Sequence, residues 1–289
     1  MNQLKTILLF GILSALFIGI GGAFAPQHLA VFVAIAAAIN LGAYFFSDRL
    51  VLAMYRAQEV SERDVPGLHA MVHDLADAAG IPAPRIYLVP DRQPNAFATG
   101  RNPKHGVVAV TEGLLELLDG RELRAVLAHE LAHIKNRDVL VSTVAAILAS
   151  AISTVANVLS FGAMFGAHSD EDRPSVLATL AMVIVAPIAA LLVQLAISRS
   201  RELHADETGA RISGDPEGLA RALLALHGAS RMVPTDHPQP GTASLWIVNP
   251  LEALDRVSRW FSTHPAVEER VERLRALPAM HRHAFGYGG

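Results

Sequence analysis

Apolar and polar positions alternate along this chain on two different scales. On the long scale, four runs carry no charged residue: 6–25, 29–47, 139–167 and 174–198. A helix that crosses a bilayer needs about 20 mostly apolar residues, so each run predicts a membrane span. The third is longer than a bilayer requires and is expected to tilt or to extend beyond the lipid. Pro26-Gln27-His28 separates the first two so closely that they predict a hairpin. The first run also exceeds the apolar core of a signal peptide, about 7–15 residues.

On the short scale, the intervening segments show helix and strand periods. Leu68, Met71, Val72 and Leu75 recur at helical spacing, with Asp64 and Pro66 as a start and Gly80 as a stop. Residues 85–89 and 106–110 read as strands and 94–100 as a short extended piece, which together predict a small sheet. A helix begins near Thr111 and another at Asp119, where Glu122 three positions on completes a capping-box pattern. This second helix runs through His133. With no proline or glycine after it, it is expected to continue straight into the third apolar run. Residues 198–212 and 216–228 read as helices, and 231–250 as a proline-rich loop. Thr263-His264-Pro265 starts a last helix through Leu277, and 281–289 reads as a tail. The fold class is mainly α with a small β-sheet.

Composition sharpens the membrane reading. Only 18% of the residues are charged and 52% are hydrophobic, against about 25% charged in an ordinary soluble domain. The net charge of −3 gives no sign of a nucleic-acid partner. Cysteine is absent, so a metal site must use histidine and carboxylate, and 13 histidines leave room for one. Basic residues sit at the ends of the polar segments nearest the apolar runs: Arg49, Arg56, Lys135, Arg137, Arg199 and Arg201. The hinge 26–28 has none and the loop 168–173 has one. Positive charge favours the cytoplasmic side, which puts both termini and both polar segments there.

The chemistry concentrates in His129-Glu130-Leu131-Ala132-His133. Two histidines four apart on a helix project from one face, about 6 Å apart along the axis. Two imidazoles so placed can hold one zinc ion at about 2.0–2.1 Å each. Glu130 adjoins the first ligand, too near to coordinate easily. It can instead reach a water on the zinc, take its proton and later pass it to the leaving amine. The pattern H-E-x-x-H on a helix is that of a zinc peptidase. A hydrolytic zinc keeps three protein ligands and an open position. Glu202 and His204 are the candidates for the third. Glu202 shares a helix face with Asp206, four residues on, so one carboxylate can bind metal while the other holds the free N–H of a ligand histidine. That pairing favours Glu202, since His204 faces elsewhere. His69 and His73 are also four apart but lack the adjacent glutamate, and read as surface residues.

These residues resemble the HtpX branch of the membrane zinc metallopeptidases, a superfamily that includes the CAAX prenyl proteases. The resemblance rests on His129-Glu130-x-x-His133, on Glu202-x-x-x-Asp206 beyond a second apolar hairpin, and on the two N-terminal runs. It extends to Asn95-Ala96-Phe97-Ala98 and to Thr263-His264-Pro265 with Arg270. It implies four transmembrane helices and a zincin-like cytoplasmic domain with one zinc ion per chain. The divisions are a first hairpin at 1–47, the first catalytic part at 48–138, a second hairpin at 139–198 and the second catalytic part at 199–289. The implied activity is ATP-independent endoproteolysis of damaged or misassembled membrane proteins at the bacterial cytoplasmic membrane, with neither nucleotide nor nucleic acid as partner.

The resemblance also supports Glu202 as ligand and Asp206 as its neighbour's support. It sets Asn95 along the substrate cleft and brings His264 and Arg270 toward the transition state. His264 is then a donor to the developing oxyanion, where losing one such group costs about 10²–10³ in rate. Arg270 needs a bend or a long reach to join it. The strand Asn95–Ala98 can pair with an extended substrate through main-chain bonds, which tolerates many sequences. With only four apolar runs, a CAAX-type prenyl-peptide substrate is the lesser expectation. A metal-binding membrane scaffold without turnover is the alternative of another class. A transporter should carry charges within its spans, and these carry none.

Overall fold

The computed structural model describes residues 26–147, 199–236, 240–250 and 265–278, with scattered positions among 7–22. It is mainly helical with one small mixed sheet. After a 3₁₀ turn at Pro26–His28, helix α1 (Leu29–Met54) continues past the expected end of the second run at Ser47. Among the described residues, the stretch Pro26–Met54 is the one helix long and apolar enough to cross a membrane, with mean hydropathy 2.2 and only 6% of its apolar window buried. Asn40 donates from α1 to Ser14 Oγ (2.7 Å) and to the Phe10 carbonyl (3.3 Å), which ties these two residues of the first run to it. Past the apolar run, α1 enters the protein. Val51, Leu52 and Tyr55 are buried with Phe97 and Trp246 in a second hydrophobic cluster.

The sheet has the order β1-β2-β4-β3. Strands β2 (Arg85–Val89) and β4 (Val107–Thr111) run parallel. Strands β1 (Gln58–Glu59) and β3 (Ala96–Thr99) pair antiparallel at the two edges. β1 was not expected, because two exposed residues leave no alternation to read. The opposite holds for β4. All five residues are buried, so its unbroken apolar run marks a strand covered on both faces.

Helix α2 (Pro66–Ala79) starts at Pro66 and stops at Gly80, whose φ of 69° is left-handed. Thr111 caps α3 (Glu112–Leu117) by accepting from the Leu114 N–H at 3.1 Å. Helix α4 (Gly120–Lys135) has the capping box in full. Asp119 accepts from the amides of Arg121 and Glu122 (2.9 and 2.8 Å), and Glu122 accepts from the Asp119 amide at 3.2 Å.

α4 does not run on into the third apolar run. It ends at Lys135, and a separate helix covers 139–147. Arg137 takes φ 58°. Its N–H bonds the Ile134 carbonyl (3.1 Å), and the Asp138 N–H bonds the His133 carbonyl (3.3 Å). This is a Schellman turn with arginine where glycine is usual, so the sequence carries no glycine to announce it.

Helices α5 (Arg199–Ser213) and α6 (Pro216–Ser230) follow. Asp215 caps α6 through the Gly218 amide (2.9 Å) and also holds Arg121 of α4, at 2.7 Å to Nη2. α5 crosses α4 at Gly209, where an added Cβ would stand 2.8 Å from the His129 Cα. The expected loop 231–250 is in part a 3₁₀ helix, Pro240–Leu245. Trp246, Ile247 and Val248 after it are buried. The last helix, α7, covers only Val267–Arg275. His264, the tail 281–289, most of the third apolar run and the whole of the fourth lie outside the described residues.

Candidate metal centre

α4 presents His129 and His133 one turn apart, and α5 brings Glu202 across from them. The two Nε2 atoms are 3.2 Å apart. Glu202 places Oε2 3.7 Å from His129 Nε2 and Oε1 3.7 Å from His133 Nε2. Tetrahedral ligation with bonds of about 2.0–2.1 Å sets donors about 3.3 Å apart, so the observed triangle fits one metal ion. These three residues form the candidate metal group among the described residues. Gly209 lets the helices come this close, because any side chain there would strike the α4 backbone at His129.

Each imidazole has its other nitrogen against a carboxylate. His129 Nδ1 stands 3.0 Å from Asp206 Oδ1, and His133 Nδ1 stands 3.3 Å from Asp138 Oδ1. A carboxylate at Nδ1 fixes the tautomer that leaves Nε2 free to bind metal. Asp206 is held in turn by Arg270, whose Nε and Nη2 donate to its two oxygens at 2.8 and 2.7 Å. Arg270 also donates to the Ile247 carbonyl at 3.0 Å and is only 1% exposed. The structure thus seats Arg270 behind Asp206, engaged at all three bonds.

Burial and neighbouring charges compete in setting the electrostatics of this cluster. Burial pushes the Glu130 carboxyl up to about 8, with the nearby Glu202 adding to the rise and His133 and Arg270 opposing it. It also favours neutral His129, against the pull of Asp206. For His133, burial is outweighed by Asp138 and Glu202, and the ring is raised to about 10. For Asp206, burial is outweighed by Arg270, and the carboxyl is held down at about 2.

A cleft opens beside these groups, lined by Ala98, Glu130, His133, Glu202, Ser244 and Leu245 among others. Just before β3, the Asn95 carbonyl accepts from the Thr111 N–H of β4, so Ala96 and Ala98 turn their main-chain groups away from β4. The Ala96 carbonyl accepts from the Ile247 N–H at 3.0 Å. Ala98 lines the cleft, and its main chain bonds Glu130. Phe97 points into the second cluster against Tyr55 and Trp246. The Asn95 side chain is 1% exposed and donates to the Val248 carbonyl at 2.8 Å, so it fastens the segment after Pro240–Leu245 to the edge strand. His204 is exposed, as is His73, while His69 bonds the Val60 carbonyl at 3.0 Å.

Sequence reasoning missed Asp138 and Gly209. An acidic residue placed just before an apolar run is the signal that could have found Asp138. Gly209, seven residues after Glu202 in a helix, marks a close crossing.

Three donors shaped for one metal ion, a buried carboxyl beside them and a cleft along a strand edge are the equipment of a metal-dependent hydrolase. Residues 62–278 match the family described as Peptidase family M48, and the chain belongs to it. A protease HtpX homolog of Syntrophobacter fumaroxidans is 50% identical over 281 residues, covering 96% of this chain and 99% of that one. One from Pyrococcus furiosus is 50% identical over 276 residues, covering 94% and 95%. One from Sulfurihydrogenibium is 48% identical over 295 residues and covers 99% of each. The crystal structure of S. mikatae Ste24p shares the fold at TM-score 0.53 and 18% identity, over 94% of this chain. This chain spans 65% of that protein's length. The chain is therefore a membrane metalloprotease, and polypeptides are its substrates.

Proposed function

We propose that this protein is a multi-pass zinc endopeptidase that cleaves damaged or misassembled membrane proteins from the cytoplasmic side. The observation that carries the reading is the donor triangle of His129, His133 and Glu202, with Glu130 in the adjoining cleft. Two histidines and a carboxylate suit zinc, and three protein ligands leave a position for chemistry. Bound there, the ion acts as a Lewis acid toward the scissile carbonyl and lowers the pKa of water.

The chain's own residues do the rest. Glu130 accepts the proton of the attacking water and returns it to the leaving nitrogen. A divalent charge beside it favours its carboxylate form, which burial alone disfavours. Asp206 holds His129, and Arg270 keeps Asp206 ionised within the protein. The outward Ala98 carbonyl accepts from an extended substrate, while the Ala98 N–H holds Glu130 and Asn95 keeps the facing segment in place. His264 completes the set as a donor to the developing oxyanion.

The four apolar runs make two hairpins, and 48–138 with 199–289 form one zincin-like catalytic domain between them. The packing of α4 on α5 across the second hairpin supports that division. The bond from Asn40 to Ser14 supports the first hairpin. A centre one turn from the third run meets substrates at the membrane face, which favours loops and tails near the bilayer.

The test compares wild type with Glu130→Gln, purified in detergent without metal, loaded with zinc and offered casein. Cleavage by wild type alone, stopped by a chelator, is the expected result. Equal cleavage by both would remove Glu130 from its role.

A further inference from the structure

We infer that Asp138 is a positioning residue for the metal centre, and that it braces ligand His133 against the helix leading into the third apolar run. The inference rests on the proposed ligand role of His133. Asp138 grips that residue twice. Its N–H donates to the His133 carbonyl at 3.3 Å, and its Oδ1 stands 3.3 Å from the His133 Nδ1. The first contact is the Schellman bond that ends α4. The second orients the ring so that Nε2 turns to Glu202 and His129. Asp138 is 3% exposed, so water does not compete for the contact.

The same residue begins the next helix. The Ser142 N–H and hydroxyl both donate to the Asp138 carbonyl, at 3.2 and 3.1 Å. The Ser142 hydroxyl in turn accepts from Arg201, beside Glu202, at 3.4 Å. The start of 139–147 thus touches both ligand-bearing helices. His129 takes its carboxylate from α5, whereas His133 takes it from the turn where the chain heads for the membrane. A carboxylate that merely started a helix would face that helix's amides; this one faces the ring.

Partners of ligand histidines typically change metal affinity about 10–100-fold when lost. The experiment uses the full chain in detergent and reads zinc affinity by competition with a fluorescent chelator, with circular dichroism as the check on fold. Asp138→Ser keeps a good helix-starting residue but is too short to reach His133. It should weaken zinc binding about 10–100-fold with helix content unchanged. Asp138→Asn keeps an acceptor oxygen at the same reach and should restore most of the affinity. Wild-type zinc affinity in Asp138→Ser, with His133→Ala still weakened, would overturn the positioning role while leaving the ligand set intact. Unchanged affinity in His133→Ala as well would overturn the ligand assignment beneath it.

Discussion

At the scale of single residues, protons compete with a metal ion for the histidine ligands. The carboxylates of Asp138 and Glu202 raise His133, and burial raises Glu130, so the surroundings favour the protonated form of each. A histidine binds metal only when neutral. Zinc binding near pH 7 should therefore release about one to two protons per ion. Calorimetry in buffers of different ionisation heat measures this, and a buffer-independent heat would refute it. Arg270→Met leaves Asp206 buried without its cation, which typically costs about 3–5 kcal/mol. The pKa of Asp206 is depressed from 3.8 to about 2. Its contribution is thus complete above about pH 4 and is lost as pH falls toward 2. Acid titration followed by circular dichroism should show that loss in wild type and a much smaller one in the variant. Asp206 was legible because it repeats the helix spacing from Glu202. Asp138 was not, because it acts across a turn that nothing local foretells.

At the scale of elements, the centre depends on how closely α5 lies on α4. Gly209→Ala sets a Cβ 2.8 Å from the His129 Cα, so the helices must part. Gly228, in α6, has nothing within 4 Å of its would-be Cβ. Gly228→Ala should be neutral or stabilise by about 0.5–1 kcal/mol. Gly209→Ala should lose bound zinc and caseinolysis while most helix content survives. Zinc content per chain, measured after gel filtration, separates the two; equal zinc in both would dismiss the close crossing as a requirement. Asn95→Ala should raise KM more than it lowers kcat, since it frees the segment that faces the cleft without touching Glu130. Capping box, strands and helices were readable from periodicity and from Asp119 and Glu122. The α4 stop was missed because Arg137 adopts a conformation that glycine usually supplies. The two-residue β1 was too short to leave a pattern.

At the scale of the whole molecule, metal and fold are linked by mass action. An ion that joins α4 to α5 stabilises the folded chain by about 2.7 kcal/mol at a hundredfold excess over its Kd. Chelation should lower the thermal midpoint in detergent, and zinc should restore it. An unchanged midpoint would mean the site is not formed by the fold. The apolar run at 29–47, the grouping of His129, His133 and Glu202 and the small sheet could all be read from sequence, since each has its own local signature. The seat of Arg270 could not. Its partners, Asp206 and Ile247, lie on different elements brought together only by packing.

That seat orders events in time. His129 is steadied by Asp206, and Asp206 by a guanidinium encoded 64 positions later. A ribosome delivers the histidines and Glu130 before the arginine. Until then Asp206 lacks the guanidinium that binds both of its oxygens. The brace behind His129 is therefore complete only once Arg270 has been made. Chains stalled before residue 267 should insert into membranes yet retain no zinc.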